Sequence, residues 1–256
     1  MLTISKKIKG YTLNALDGEI GDVKEFFFDD RFWTIRYLVV ATGGWFNEKR
    51  VLISPYFLSN VDHSSELIDV NLTQEEIKNS PEWDSDKPVS RHYETSYYGY
   101  YGAPMYWAGP HMWGAYPVFS RDREKWRTSE KTDESWDPNL RSTKDVSGHN
   151  IQATDDTIGH VEDFIIDDED WAIRYIVVDT KNWLPGKNVL VSPEWIDRIS
   201  WPETKVFVNL SRDLIKKAPE YKSDMNITRD YESSLYRHYQ RQGYWVGDPM
   251  MKEYTR

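Results

Sequence analysis

The chain contains no cysteine among its 256 residues. A disulfide framework, a thiolate nucleophile and a Cys-ligated zinc or iron–sulfur site are therefore excluded. No run of about 18 apolar residues occurs, the length a membrane-crossing helix needs. The opening MLTISKKIKG lacks the apolar stretch of a secretory signal. The reading is a cytoplasmic protein without direct membrane insertion. Basic residues are short in number: 32 Lys and Arg face 42 Asp and Glu, a formal net charge of −10. A phosphate-backbone binder carries the opposite balance, so nucleic acid is not expected as a partner. Neither GxGxxG nor a Walker-type loop is present, so no nucleotide cofactor is expected.

Aromatic residues, in contrast, are plentiful, with 12 Trp and 17 Tyr. Such side chains fill cores or make adhesive surfaces. The dominant feature is an internal repeat. GDVKEFFFDDRFWTIRYLVV starts at Gly21, and GHVEDFIIDDEDWAIRYIVV starts at Gly159, 138 positions later. That offset holds without a gap over residues 8–101 and pairs Trp33 with Trp171, Arg36 with Arg174, Tyr93 with Tyr231, and Glu94 with Glu232. A period this long signals two domains rather than a solenoid.

Within each copy, strands come first and helices last. Residues 21–28 alternate in polarity, and Asp29-Asp30 marks a turn. Trp33, Ile35, Tyr37 and Val39 fall on one face of the next strand by period two. Val51-Leu52-Ile53 reads as a short buried strand ended by Ser54-Pro55, and residues 67–72 as the last strand. About five short strands with turns between them predict a small barrel. Thr73 with Glu76 is a capping box, halved in the second copy to Ser211 with Leu214. A further helix is predicted after Ser90, carrying Tyr93-Glu94, and after Thr228, carrying Tyr231-Glu232. The boundaries so read are a first repeat over 1–102, an aromatic and polar linker over 103–140, a second repeat over 141–242 and a tail over 243–256.

The blocks WTIRYLVV, VLISP, VNLTQEEIKNSPEW and SRHYETSYYGYYGAPMYW, echoed by WAIRYIVV, VLVSP, VNLSRDLIKKAPEY and TRDYESSLYRHY, resemble the PRC-barrel family. The resemblance covers residues 4–102 and 142–244. It implies a mainly β fold of two SH3-like barrels in tandem, each followed by short helices and related by a pseudo-twofold axis. It also implies a bacterial protein-interaction or scaffolding role without catalysis. Two relatives of the family supply alternatives: a ribosome-associated factor, or a peripheral partner of a membrane electron-transport complex of the reaction-centre kind. The membrane helix of the reaction-centre H subunit and the N-terminal domain of the ribosome maturation factor have no counterpart here, so neither role transfers with the fold.

Candidate chemistry is thin. Asp29-Asp30 and Asp167-Asp168 offer paired carboxylates, but at hairpin tips these read as solvated turn formers. The six histidines, His63, His92, His111, His149, His160 and His238, never align with another His across the repeat and show no HExxH spacing, so no metal site is assigned. Ser54 and Ser192 lack a nucleophile elbow and read as caps. Arg36 and Arg174 lie in apolar strands and need acidic partners, with Glu25 and Asp163 or Glu94 and Glu232 as candidates. Together with Trp33 and Trp171 they read as structural residues. The interaction candidates are Tyr93, Tyr97, Tyr98, Tyr101, Tyr106, Trp107, Trp113, Tyr231, Tyr236 and Tyr239, directed at a protein partner or a second copy of the chain.

Overall fold

The computed structural model describes residues 1–43, 49–84, 88–107, 139–180 and 187–246. The chain forms two compact units, one of Lys7–Ser142 and one of Met1–Lys6 with Thr143–Arg256. They are called here the leading and the trailing unit. Among the described residues no helix is long and apolar enough to cross a membrane.

The leading unit is a mainly antiparallel sheet. Its strands are β2 (Thr12–Ala15), β3 (Gly18–Asp29), β4 (Thr34–Thr42), β5 (Lys49–Ile53), β6 (Leu58–Asp62), β7 (Leu67–Val70) and β8 (Leu140–Ser142). They run in the order β5-β4-β3-β2-β7-β6, with β8 added on β3 and β2 parallel to β7. The two ends of this path are consecutive in sequence. Ser54 closes β5, its hydroxyl accepts the Tyr56 N–H, and the 3-10 turn Pro55–Phe57 leads into β6. The capping role expected of Ser54 is therefore seen, and Ser192 repeats it before Pro193–Trp195. Among the described residues neither sheet closes into the barrel that the sequence predicts.

In the trailing unit the strands are β1 (Leu2–Ile4), β9 (Asn150–Gln152), β10 (Thr157–Asp167), β11 (Ile173–Asp179), β12 (Asn188–Val191), β13 (Ile196–Ser200), β14 (Lys205–Val208) and β15 (Glu220–Tyr221). The order β13-β14-β9-β10-β11-β12-β15 repeats that of the leading sheet with one short strand more, and β1 lies on β10.

The first strand of each repeat thus sits on the other repeat's sheet. Leu2 lies opposite Asp167, as Leu140 lies opposite Asp29. Ile4 faces Ile165, as Ser142 faces Phe27. The flanking bond recurs too: Asp168 N–H donates to the Met1 carbonyl and Asp30 N–H to the Asn139 carbonyl. Side chains follow the ladder, since the Ser5 hydroxyl donates to Asp163 and the Ser142 hydroxyl to Glu25. Those two carboxylates had been assigned to Arg36 and Arg174 in the sequence reading. Here they hold the incoming strand instead.

β4 and β11 form the centre of each core. Tyr37, Leu38, Val39 and Val40 are fully buried, as are Tyr175, Ile176, Val177 and Val178. Both faces of these strands are covered, which is why they read as continuous β-branched and aromatic runs. The expected one-sided period fails for another reason at Trp33. It precedes the strand in a left-handed turn with φ 55°, and Trp171 does so with φ 59°. The Trp33 N–H closes the turn on the Asp29 carbonyl, and the Asp29 carboxylate accepts the Arg31 and Phe32 N–H groups. Both indoles are buried, so the turn serves to drop a large ring into the core.

The helices follow their sequence signals. α1 (Ser5–Ile8) and α4 (Thr143–Val146) are single turns after the exchanged strands. α2 (Gln74–Lys78) carries the full capping box of Thr73 and Glu76, and α5 (Arg212–Lys217) keeps only the Ser211 half. α3 (Arg91–Tyr101) is capped by Ser90 and ends at Gly102 in the left-handed region; α6 (Arg229–His238) is capped by Thr228.

Candidate interaction surface

Each longer helix is clasped to its sheet by one buried carboxylate. Glu94 of α3 accepts hydrogen bonds from the Tyr37 hydroxyl at 2.9 Å and the Tyr106 hydroxyl at 2.8 Å, and pairs with Arg91 at 3.0 Å. Glu232 of α6 accepts from Tyr175 at 2.6 Å and Tyr244 at 3.1 Å, and pairs with Arg229 at 2.9 Å. Burial pushes the Glu232 carboxyl above its ordinary value, opposed chiefly by the Tyr175 hydrogen bond. Burial also drives the Tyr37 and Tyr175 hydroxyls well above the usual phenol range, so both remain neutral donors. Tyr106 and Tyr244 come from segments read in the sequence as linker and tail. The structure shows them as the last part of each repeat, at the same 138-residue offset. The missed signal was the pair Tyr106-Trp107 recurring as Tyr244-Trp245.

The same segments cover the strand arginines. The Arg36 guanidinium stacks 4.3 Å from the Tyr106 ring centre and meets Asp29 at 3.5 Å. Arg174 stacks 4.4 Å from Tyr244 and bonds Asp167, at 2.9 Å, and Asp170. The direct ion-pair partners are the turn aspartates Asp29, Asp167 and Asp170, because the strand direction aims the guanidinium at its own hairpin tip, while the Arg174 charge also favours the Glu232 carboxylate as expected. Asp29 thus forms the turn as expected but is buried rather than solvated. Burial, more than compensating for Arg174, raises the Asp170 carboxyl from 3.8 to about 6. On the outside, Arg91 lies 4.0 Å over Trp107 and Arg229 lies 4.2 Å over Trp245.

Five of the ten interaction candidates are internal. Tyr97, Tyr98, Tyr106, Tyr236 and Tyr239 are buried in their own units. Tyr97 and Tyr98 also close the β5 end, through bonds to the Ser54 N–H and hydroxyl. Tyr93 and Tyr231 are half-buried and donate to the Pro81 and Pro219 carbonyls. Tyr101 and Trp107 are half-buried. These rings stack on one another, which explains their crowding in sequence without a partner. Trp113 and His111 lie outside the described residues.

A continuous aromatic row nevertheless reaches the surface of the leading unit. Tyr56 contacts Phe57 at 5.3 Å between ring centres, Phe57 contacts Tyr101 at 4.8 Å, and Tyr101 contacts Tyr100 at 4.8 Å. The terminal rings are open, Tyr56 45% and Tyr100 43% exposed. The aligned row in the trailing unit is Glu194, Trp195, Tyr239 and His238. Its interior keeps the stacking, with Trp195 and Tyr239 at 4.5 Å, but both ends are polar. The end residues even share a bond. Tyr100 donates to the Glu76 carbonyl, and His238, with Nε2 protonated, donates to the aligned Leu214 carbonyl. The backbone is kept while the surface chemistry differs.

One set of side chains could hold a divalent cation. His160, Glu162 and Asp179 place a ligand atom each within 4.8 Å of one another, His160 and Asp179 being direct cross-strand neighbours. The aligned residues Asp22, Lys24 and Ala41 offer no such set, and Lys6 Nζ pairs with Glu162. A salt bridge thus competes for one of the three ligands. Two other histidines serve packing: His63 bonds and stacks on Tyr11, and His149 stacks on Trp201.

The profile of the PRC-barrel domain family matches residues 140–215, which lie in the second repeat. An uncharacterized protein of Deinococcus radiodurans is 35% identical over 72 residues, covering 28% of this chain. The aligned part spans about a quarter of that relative's length (26%). Residues 140–215 are therefore similar to a PRC-barrel domain, which suggests at most a protein-interaction module.

Proposed function

We propose that this protein is a non-catalytic binding module made of two SH3-like domains of the PRC-barrel kind, and that its leading unit carries the contact surface for a protein partner. The observation that carries the reading is the aromatic row ending in exposed Tyr56 and Tyr100. At the aligned positions the trailing unit replaces both ends by Glu194 and His238. Exposed tyrosines backed by a rigid stacked interior are the kind of anchor that interfaces concentrate, since they bring large area at low entropic cost. The most conspicuous buried acid, Glu94, supports the non-catalytic part of the reading: its carboxylate accepts two tyrosine hydroxyls and an arginine from its own unit.

The test exchanges the two surfaces. The double variant Tyr56→Glu with Tyr100→His installs the trailing unit's residues on a backbone that already tolerates them. Wild type and variant are used side by side for affinity capture from host lysate, with thermal unfolding as a control for folding. Proteins retained by the wild type and lost with the variant, at unchanged melting temperature, support the reading. Identical retained sets from the two would sink it.

A further inference from the structure

We propose that the edge of β10 at Ile165–Asp167 is a strand-acceptor site, and that a second copy of this chain fills it with its own Met1–Lys6, giving a strand-exchanged dimer. The site is built, and within one chain it is already used by a segment that then passes at Lys6–Lys7 into the other unit. The bonds that seat the strand are made to the trailing unit. Leu2, Thr3 and Ile4 pair with Asp167, Ile166 and Ile165. The Asp168 N–H reaches the Met1 carbonyl at 3.1 Å. The Lys6 N–H and the Ser5 hydroxyl both donate to Asp163, and Lys6 Nζ pairs with Glu162.

None of these bonds depends on which molecule supplies the strand. Exchange between two chains preserves each of them and costs only the hinge change and the loss of independent motion. The hinge falls at the one-turn helix α1, too short to hold its own shape in water. The chemistry of the site also selects its occupant. Asp163 is 2% exposed, and an incoming strand must present a hydroxyl and an N–H to it, followed by a cation for Glu162. The sequence Thr3-Ile4-Ser5-Lys6 meets those demands, so the fitting partner is this chain itself. Main-chain pairing supplies affinity in such strand addition, and the side-chain sites supply specificity.

Because the chain has no cysteine, the exchange can be trapped cleanly. Thr3→Cys and Ile166→Cys are made in separate chains bearing tags of different length. The two are unfolded, mixed at high concentration, refolded and oxidised. A disulfide between Thr3→Cys and Ile166→Cys then forms only across an exchanged pair, and a dominant band of mixed length is expected on a non-reducing gel. Mixed dimers no more abundant than same-length dimers would overturn the proposal. A second measurement needs no cysteine: light scattering on the unsubstituted chain, before and after refolding at high concentration. A dimer that survives dilution and is lost on deleting Met1–Lys6 is expected. A monomer under every condition would overturn the idea. The dimer should persist in Tyr56→Glu/Tyr100→His, which separates this proposal from the aromatic surface.

Discussion

The hydroxyl of Tyr37 donates to the Glu94 carboxylate across 57 positions of sequence, and Tyr175 donates to Glu232 across the same separation. Each bond ties the central strand to the longer helix within the buried core. A hydrogen bond to a charged group contributes about 1.5–3 kcal/mol, and losing the donor leaves part of a buried carboxylate unsatisfied. Tyr37→Phe should therefore destabilise the leading unit by about 2 kcal/mol, with little change in volume. The measurement is the urea midpoint at constant slope. A loss below about 0.5 kcal/mol would show that Tyr106 and Arg91 satisfy Glu94 alone.

How much of this could be seen in the sequence depends on range. Local signals were readable: the Thr73–Glu76 box, the Ser90 and Thr228 caps and the Ser54-Pro55 turn act over two or three residues and stand as expected. The main strands were readable because the repeat declares them twice. What failed needed contacts distant in sequence. Nothing in Leu2-Thr3-Ile4 says which sheet it joins, because an antiparallel edge accepts either copy's strand equally. The turn aspartates were not among the partners expected for the arginines, because strand period fixes a face but not the direction along the strand. Tyr106 and Tyr244 were read as linker and tail because Gly and Pro around them hide periodicity, although their spacing recorded the repeat. The crowded tyrosines were ambiguous in principle, since core and interface use the same residues.

Gly21 and Gly159 mark where β3 passes β4 and β10 passes β11 at closest approach. A Cβ on Gly21 would lie 1.9 Å from the Ala41 carbonyl oxygen, and one on Gly159 would lie 1.9 Å from that of Asp179. Both residues also have positive φ, 156° and 84°. Relief requires moving backbone in the central ladder, so the steric penalty far exceeds the usual entropic gain of Gly→Ala. Gly21→Ala and Gly159→Ala should each cost about 3 kcal/mol or more, each on its own unit. Hydrogen exchange resolves which amides lose protection. A substitution that leaves both units protected would contradict the close approach.

Arg174 sits between Asp167 and Asp170, buried to 6% side-chain exposure. Arg174→Met keeps the stem that packs against Tyr244 but removes the charge between two carboxylates. Breaking a buried pair costs about 3–5 kcal/mol because a charge is left unpaired. The leading unit gives the contrast: the position aligned with Asp170 is Phe32, whose ring lies 5.8 Å from the Arg36 guanidinium. Adding Asp170→Phe to Arg174→Met should therefore recover part of the loss. A double variant no more stable than Arg174→Met alone would mean that Asp167 carries the whole effect.

The pH dependence of the trailing unit follows from Asp170. Its carboxyl is raised from 3.8 to about 6 in the folded chain, because burial outweighs the attraction of Arg174. Well below pH 3.8 both folded and unfolded states hold the proton, and the group makes no difference. As pH rises toward 6 the unfolded state loses its proton first. The folded state then binds more protons, and stability falls with rising pH across that window. Above 6 the loss is complete and constant, at most about 3 kcal/mol for a shift of this size. Glu232, also raised by burial, acts in the same sense. Asp213, lowered by its bond to Lys217, acts in the opposite sense and only as pH falls below its ordinary value. Asp170→Asn should remove the Asp170 contribution, so the stability difference between variant and wild type grows from pH 4 to pH 6 and then levels. Denaturation midpoints at half-unit intervals test this, and a difference flat across the window would assign Asp170 an ordinary carboxylate in the folded chain.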